Sequence, residues 1–428
     1  MKPPRHAKVV WGALLAAATV GCGRAHDQAH ATARARRIHE RLLTLDTHLD
    51  TPVHFGPGWD IMSRHDIASD PSQVDYPRML SGGLDGGFWA IYTPQGPRTP
   101  EGEAKARDTA LRTAMRIHEM VAREHDHFEL ALRSSDAAAI ASRHNRIVYI
   151  SIENGYPLGH DLTLLQTFYS LGARMAGLVH FSNNDLADSS TDPKGKEWNG
   201  LSPLGKQAVV EANRLGMVLD ASHASDDVLD QLIERSKTPV ILSHSGCKAV
   251  FNHPRNVDDG RLRKLAASGG VIQINSLSDY LMATPDDPAR KQAMHALFER
   301  SFPLYDLTAQ GRVAFEHERL AIERAHPEPH ATFEDFMKHL LHALEVVGPD
   351  HVGIGADWDG GGGVTGMEDV ASIPKITERL LAAGYTEGDL AKIWSGNVLR
   401  LLREAERTSS LIASGQDPMG QRGPSGAD

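Results

Sequence analysis

The chain has 428 residues, 41% of them hydrophobic and 23% charged, with a formal net charge of −10. That is enough apolar material for one large enzyme-sized core, and the acidic balance argues against nucleic acid as a partner. The only two cysteines, Cys22 and Cys247, exclude an internal disulfide framework and a cysteine-rich zinc site, so any metal must be held by histidine and carboxylate side chains.

At the N-terminus, Lys2, Arg5 and Lys8 precede an apolar run, Val9 to Val20, that is too short to span a bilayer comfortably. Thr19-Val20-Gly21-Cys22 then resembles a bacterial lipoprotein cleavage box, with Thr19 where an aliphatic residue is usual. Residues 1–22 are therefore expected to export the protein to the periplasm or cell envelope, with a lipid anchor at Cys22. Cleavage and release without a lipid is the alternative.

Eight short apolar, β-branched runs follow: Leu42–Thr47, Phe88–Tyr92, Ile147–Ile152, Met175–Val179, Met217–Ala221, Val240–Ser243, Val271–Asn275 and Val352–Gly355. Each has the length and composition of a buried parallel strand. Helical patterns lie between them. Ala104 to Glu124 carries Leu111, Met115, His118 and Val121 at helix spacing. Ser202 before Pro203, and Ser225, are good N-caps, and Thr332 with Asp335 resembles a capping box. Alternating units of this kind predict an α/β fold, a (β/α)8 TIM-type barrel over residues 35–408. A charged helical segment, Asp287 to Arg324, exceeds what a barrel needs and reads as an insertion over about residues 281–331, near the site mouth. The Gly/Ser/Pro-rich tail, 409–428, is expected to be disordered.

The strand ends carry the chemistry. The first run leads into Asp46-Thr47-His48-Leu49-Asp50, the third into Glu153, the fourth into His180, the fifth into His223, the sixth into His244 and the eighth into Asp357. Six of eight strands thus deliver a histidine or carboxylate at the same end, which in a closed barrel is one face; an open sheet would spread them along an edge. Imidazole with carboxylate suits zinc and similar ions. His48 and Asp50, two apart on a strand, share one side. Glu153 has two oxygens and can bridge two metals, with His223 and His244 completing a second centre. Two metals sharing a hydroxide would make it a nucleophile at neutral pH. The Gly355-Ala-Asp357-Trp-Asp359-Gly-Gly-Gly-Gly363 stretch lacks the Lys of a phosphate-binding loop, so its glycines read as room for a substrate beside Asp357. Asp359 is a rival carboxylate, with Asp357 favoured as closer to the strand end.

The chain resembles the membrane dipeptidases, the renal dipeptidase-like M19 peptidases of the amidohydrolase group. The resemblance rests on seven segments in family order: Asp46–Asp50, Gly86–Thr93, Ser151–Gly155, Asp220–Ser225, Ser243–Ser245, His253–Val257 and Gly355–Gly360. It implies a zinc-dependent dipeptidase with two Zn2+ ions, one held by His48, Asp50 and Glu153 and the other by Glu153, His223 and His244. It also implies that His180 polarises the scissile carbonyl, Arg255 grips the substrate carboxylate and Asp357 carries a proton to the leaving amine. Dipeptides, including those with a D-residue at the C-terminal position, are the expected partners. The alternative is a related amidohydrolase acting on N-acyl amino acids, lactones or β-lactams. Asn154 stands where the family usually has Gly, which is expected to alter the pocket wall. A homodimer is compatible with the resemblance, but the disulfide link of the animal enzymes is not implied, because its cysteines are missing.

Overall fold

The computed structural model describes residues 31–418. The expected export segment, Cys22 included, lies outside the described residues, as does the end of the expected tail.

Eight parallel strands form a near-closed barrel: β1 Leu45–Leu49, β2 Gly86–Tyr92, β3 Arg146–Glu153, β4 Ala173–Gly177, β5 Val218–Asp220, β6 Ile241–Cys247, β7 Val271–Ile274 and β8 Val352–Ile354. Neighbours pair in chain order. The seam closes through a parallel bridge between Leu49 and Trp358, where the Asp50 N–H donates to the Trp358 carbonyl at 2.9 Å. Boundaries differ in detail from the sequence pattern. Leu42 and Leu43 sit in the turn after a helix over residues 31–39, and their apolar side chains pack against the core rather than extending β1. β6 runs on to Cys247, so His244 lies within the strand. Two further short strands escape a periodicity search because they are so short. Phe128–Leu130 pairs with the first half of β3, and Asn256–Val257 pairs with the end of β6.

The caps act locally as their residue types dictate. Ser202 and Ser225 accept from the Gly205 and Val228 N–H groups at the start of helices Pro203–Leu215 and Asp226–Arg235. Thr332 and Asp335 exchange reciprocal bonds before Phe333–Val347. The helix Pro100–Arg123 buries a different face from the one its large residues suggest. Ala110, Ala114, Ile117 and Met120 lie inside, while Met115 is 56% exposed. Small side chains let this helix sit close to the barrel.

The last helix, Asn397–Ala413, lays Val398, Leu401, Leu402 and Ala405 against Leu45, Ile147, Val218, Ile241 and Val271. It plugs the N-terminal end of the barrel with apolar side chains, of which burial of Val398, Leu401 and Leu402 contributes roughly 1.5–3 kcal/mol each. It also runs into the segment expected to be disordered, where the Ser409 hydroxyl donates to the Arg214 carbonyl at 2.7 Å. The insertion forms a short helix, Ser278–Leu281, and two longer ones, Pro288–Ser301 and Ala309–Ala325. Its own small core, Leu297, Leu304 and Phe315, packs on Val53 from the loop after β1. Gly56 in that loop must lack a side chain, because a Cβ there would lie 2.3 Å from the Tyr305 carbonyl oxygen.

Candidate metal centre and active site

The C-terminal mouth of the barrel gathers His48, Asp50, Glu153, His180, His223, His244, Arg255 and Asp357, all buried. Donor atoms of His48, Asp50 and Glu153 lie within 4.8 Å of one another, and so do those of Glu153, His180 and His223, and of His48, His244 and Asp357. Glu153 divides its two oxygens between these groups. Its Oε2 lies 3.4 Å from His48 Nε2, while Oε1 lies 3.1 Å from His223 Nε2, 3.3 Å from His180 Nε2 and 3.7 Å from His244 Nε2. The His223 and His244 Nε2 atoms are 2.8 Å apart, and His48 Nε2 is 3.2 Å from Asp50 Oδ2. His180 thus stands near Glu153 as closely as the two histidines expected to be ligands.

The donor set fits a divalent cation. Buried His48 Nε2, Asp50 Oδ1 and His223 Nδ1 have no hydrogen-bond partner. Groups left this way in a packed interior normally carry a functional explanation. Charge agrees. Burial pushes His48 down, but Glu153 and Asp50 outweigh it and hold the ring well above its ordinary range. Burial pushes Glu153 up, and His48 and His180 outweigh it in the other direction. Burial, with Arg255 and neighbouring imidazoles, keeps His223 and His244 neutral. Neutral His223 and His244 and ionised Glu153 are in the forms that bind metal, whereas His48 holds a proton between two carboxylates that a cation there would displace.

A layer of support lies behind these groups. The Asp220 carboxylate accepts from Ser222 N–H and Ser243 N–H, both at 2.9 Å, and from the Ser243 hydroxyl at 2.5 Å. The Ser243 oxygen is 2.8 Å from His244 Nδ1. The hydroxyl proton is committed to Asp220, so Nδ1–H donates to Ser243 and the Nε2 lone pair is left for a metal. Asp46 accepts from His48 N–H at 2.9 Å and Ala356 N–H at 3.1 Å, tying β1 to the loop after β8. Burial drives Asp46 up to about 7. His223 and Asp357 both hold positive φ, at 67°, just past the ends of β5 and β8. That conformation is uncommon for residues with side chains and is retained where surroundings enforce it.

Asp357 and Asp359 separate clearly. Asp359 is spent on the fold: its Oδ2 accepts from Thr51 Oγ1 at 2.7 Å and its Oδ1 from Gln73 N–H at 2.6 Å. Asp357 faces His48 and His244. Burial, with opposing influences from His48, Asp50, Glu153 and Arg255, lifts it to about 7. The glycines after it do not make room for substrate. A Cβ on Gly360 would lie 2.1 Å from Asp50 Oδ2 and 2.4 Å from Asp357 Oδ1, and one on Gly362 would lie 2.0 Å from the Ala356 carbonyl oxygen. They let the chain's own carboxylates and backbone converge.

Arg255 immediately precedes the two-residue strand Asn256–Val257. Its Nη2 donates to the His244 carbonyl at 3.0 Å, Nη1 to Ser245 Oγ at 3.3 Å, and its guanidinium lies 5.0 Å from the Tyr280 ring centroid. Its buried Nε has no partner. Asn154, in place of the family's Gly, adopts φ 74°, which Asn tolerates better than most residues. It is wholly buried, and its side chain serves the loops rather than a pocket wall. Its Nδ2 donates to the Thr93 carbonyl at 3.0 Å and its Oδ1 accepts from Tyr156 N–H at 3.1 Å. Sequence reasoning gave no role to Asp46, Asp220, Ser243, Tyr92 or Tyr280, although the first four lie in segments that carry the family resemblance. The spacing of Asp46 and Asp220 before His48 and His223 was the available clue to the two carboxylates.

The family model for membrane dipeptidases, peptidase family M19, matches residues 32–415. Dipeptidase tcpJ of Claviceps purpurea is 29% identical over 342 residues, covering 78% of this chain and 69% of the relative. Among solved structures, the probable dipeptidase PvdM from Pseudomonas aeruginosa is 30% identical with a TM-score of 0.74, covering 89% of this chain and 99% of the other. A metallo peptidase from Rhodobacter sphaeroides, liganded with a phosphinate mimic of the dipeptide L-Ala-D-Ala, shares the fold at 24% identity and a TM-score of 0.64, covering 86% and 99%. With this barrel and this donor set, the chain belongs to the membrane dipeptidases of family M19 and is a metallo-dipeptidase.

Proposed function

We propose that the protein is a two-zinc dipeptidase, with His48, Asp50 and Glu153 holding one ion and Glu153, His223 and His244 the other. The carrying observation is the division of Glu153 between His48 on one oxygen and His180, His223 and His244 on the other. Zinc accords with a donor set of imidazole and carboxylate alone. When bound, such ions supply Lewis acidity and an activated water.

The chain's own groups do the rest. Arg255 receives the C-terminal carboxylate of the dipeptide, for which a planar guanidinium is suited. His180, whose Nε2 faces Glu153 Oε1 at 3.3 Å, donates to the scissile carbonyl oxygen as negative charge develops there. Asp357 takes a proton from the attacking water and returns it to the departing amine. The Asp220–Ser243–His244 line fixes one imidazole throughout the cycle.

Initial rates on L,L-dipeptides, L,D-dipeptides, N-acyl amino acids and a β-lactam, measured with zinc-loaded protein, test this reading. Dipeptides should turn over fastest. The L,D class is included because the Rhodobacter relative takes a mimic of L-Ala-D-Ala. Faster turnover of N-acyl amino acids or β-lactams would replace the proposal with the amidohydrolase alternative. Export with lipid attachment at Cys22 is proposed on the Lys2–Cys22 pattern alone; an unlipidated mature protein by mass spectrometry would refute the attachment.

A further inference from the structure

We propose that Tyr92, Phe181 and Phe302 form an aromatic subsite that selects an apolar side chain on the N-terminal residue of the dipeptide. The inference rests on the dipeptidase reading above and specifies the substrate class within it.

Phe181 is 46% exposed, yet its ring lies 3.9 Å from that of His180 and 5.2 Å from that of His223. An exposed phenyl ring at the entrance to a buried polar cluster keeps apolar surface in water that an incoming side chain can cover. Tyr92, at the end of β2, meets His180 edge-on at 5.0 Å. It also meets Phe302 edge-on at 5.6 Å. Phe302 comes from the connection between the two long insertion helices, Pro288–Ser301 and Ala309–Ala325. Three rings from three separate segments therefore gather on the His180 side of the metal centre.

Arg255 lies at the other end. Successive ring contacts run from His180 to His223 at 4.0 Å and on to His244 at 4.9 Å, and Arg255 binds the His244 carbonyl. A dipeptide held by its carboxylate on Arg255, with its scissile carbonyl beside Glu153, directs its first residue toward the rings. A leucine or phenylalanine side chain buried there gains roughly tenfold or more over glycine. The insertion thereby gains a role, because it supplies one wall of the pocket.

The test compares kcat/KM for Gly-Ala, Leu-Ala, Phe-Ala and Glu-Ala, and for Ala-Gly against Ala-Phe, on zinc-loaded full-length protein. Wild type, Phe181→Ala, Phe302→Ala, Phe181→Leu and Phe302→Leu are assayed, with melting temperature and metal content recorded for each. Calorimetric binding of phosphinate mimics of Phe-Ala and Gly-Ala gives a readout independent of turnover. Wild type should favour Phe-Ala and Leu-Ala over Gly-Ala by about tenfold or more. That ratio should fall severalfold in either alanine variant, recover in large part with leucine, and be matched by the mimics' affinities. Should Phe302→Ala unfold, Phe181→Ala at its half-exposed position carries the test.

A wild-type ratio near one overturns the subsite, as does an unchanged ratio in folded, metal-loaded alanine variants. So does a ratio that shifts only with the C-terminal residue. In those cases dipeptides are still cleaved and the dipeptidase reading stands. Metal-loaded wild type that cleaves no dipeptide removes both.

Discussion

Two sets of histidines are equally buried in this molecule and entirely different in what surrounds them. His39 has Nδ1 2.7 Å from Thr377 Oγ1 and Nε2 2.9 Å from the Gly82 carbonyl. His339 accepts from Cys247 N–H at 2.9 Å through Nδ1 and faces the Leu281 carbonyl at 3.3 Å through Nε2. Both nitrogens are employed in each. At the barrel mouth, His48 Nε2 and His223 Nδ1 have no hydrogen-bond partner, and the His223 and His244 Nε2 atoms point at each other. Each unsatisfied buried group costs about 1–3 kcal/mol. Burial alone does not distinguish a structural histidine from a ligand, whereas the use of its two nitrogens does.

That contrast is open to direct attack. Its largest expected break is Glu153→Gln. A neutral amide cannot balance the imidazoles around both Oε atoms, so metal content should fall and kcat/KM should drop on the order of a thousandfold. Full occupancy by elemental analysis would count against the bridge. Asp357→Asn should keep its metals and lose on the order of a hundredfold in kcat; turnover at the parent rate removes Asp357 from proton transfer. Ser243→Ala leaves every proposed ligand in place but frees the His244 ring, and about 10–100-fold weaker metal retention is expected in a chelator titration.

The smallest effect concerns the structural set. Burial lowers both His39 and His339 from 6.5 to about 4. The folded values lie below the unfolded ones, so the unfolded chain takes up these protons first as pH falls. Their contribution is complete above pH 6.5 and is lost progressively down to about pH 4. Each costs up to about 3 kcal/mol over that window. Chemical denaturation at pH 7, 5.5 and 4.5 should show the decline for the metal-free protein. A His39→Gln, His339→Gln double variant should flatten it; an equally steep decline in that variant would assign the acid sensitivity to the mouth instead.

The barrel was legible because parallel strands buried on both faces leave apolar runs of recognisable length, and polar residues recur where those runs stop. Glu153 and His244 were read from that alone. Local backbone geometry was not legible. Nothing in Asp220-Ala-Ser-His223 announces that His223 takes a left-handed conformation to reach Glu153. Long-range partners were equally hidden. Asp359 looks as catalytic as Asp357 until Thr51 and Gln73 are seen to occupy its oxygens. The glycines after Asp357 suggested an open pocket, whereas the space belongs to Asp50 and Asp357 themselves. The insertion showed its helices in sequence but not its contacts. Only three-dimensional packing brings Arg312 onto His54, whose other nitrogen lies 3.6 Å from Asp359.

The barrel seam is held by a single bridge, Leu49 to Trp358, and that bridge joins the residue before Asp50 to the residue after Asp357. Any breathing at this seam therefore falls between a proposed ligand and the proposed proton carrier. Partial openings of this sort require far less free energy than global unfolding. Warmed toward its limit, the protein should fall silent as a catalyst while its circular dichroism still reports an intact barrel.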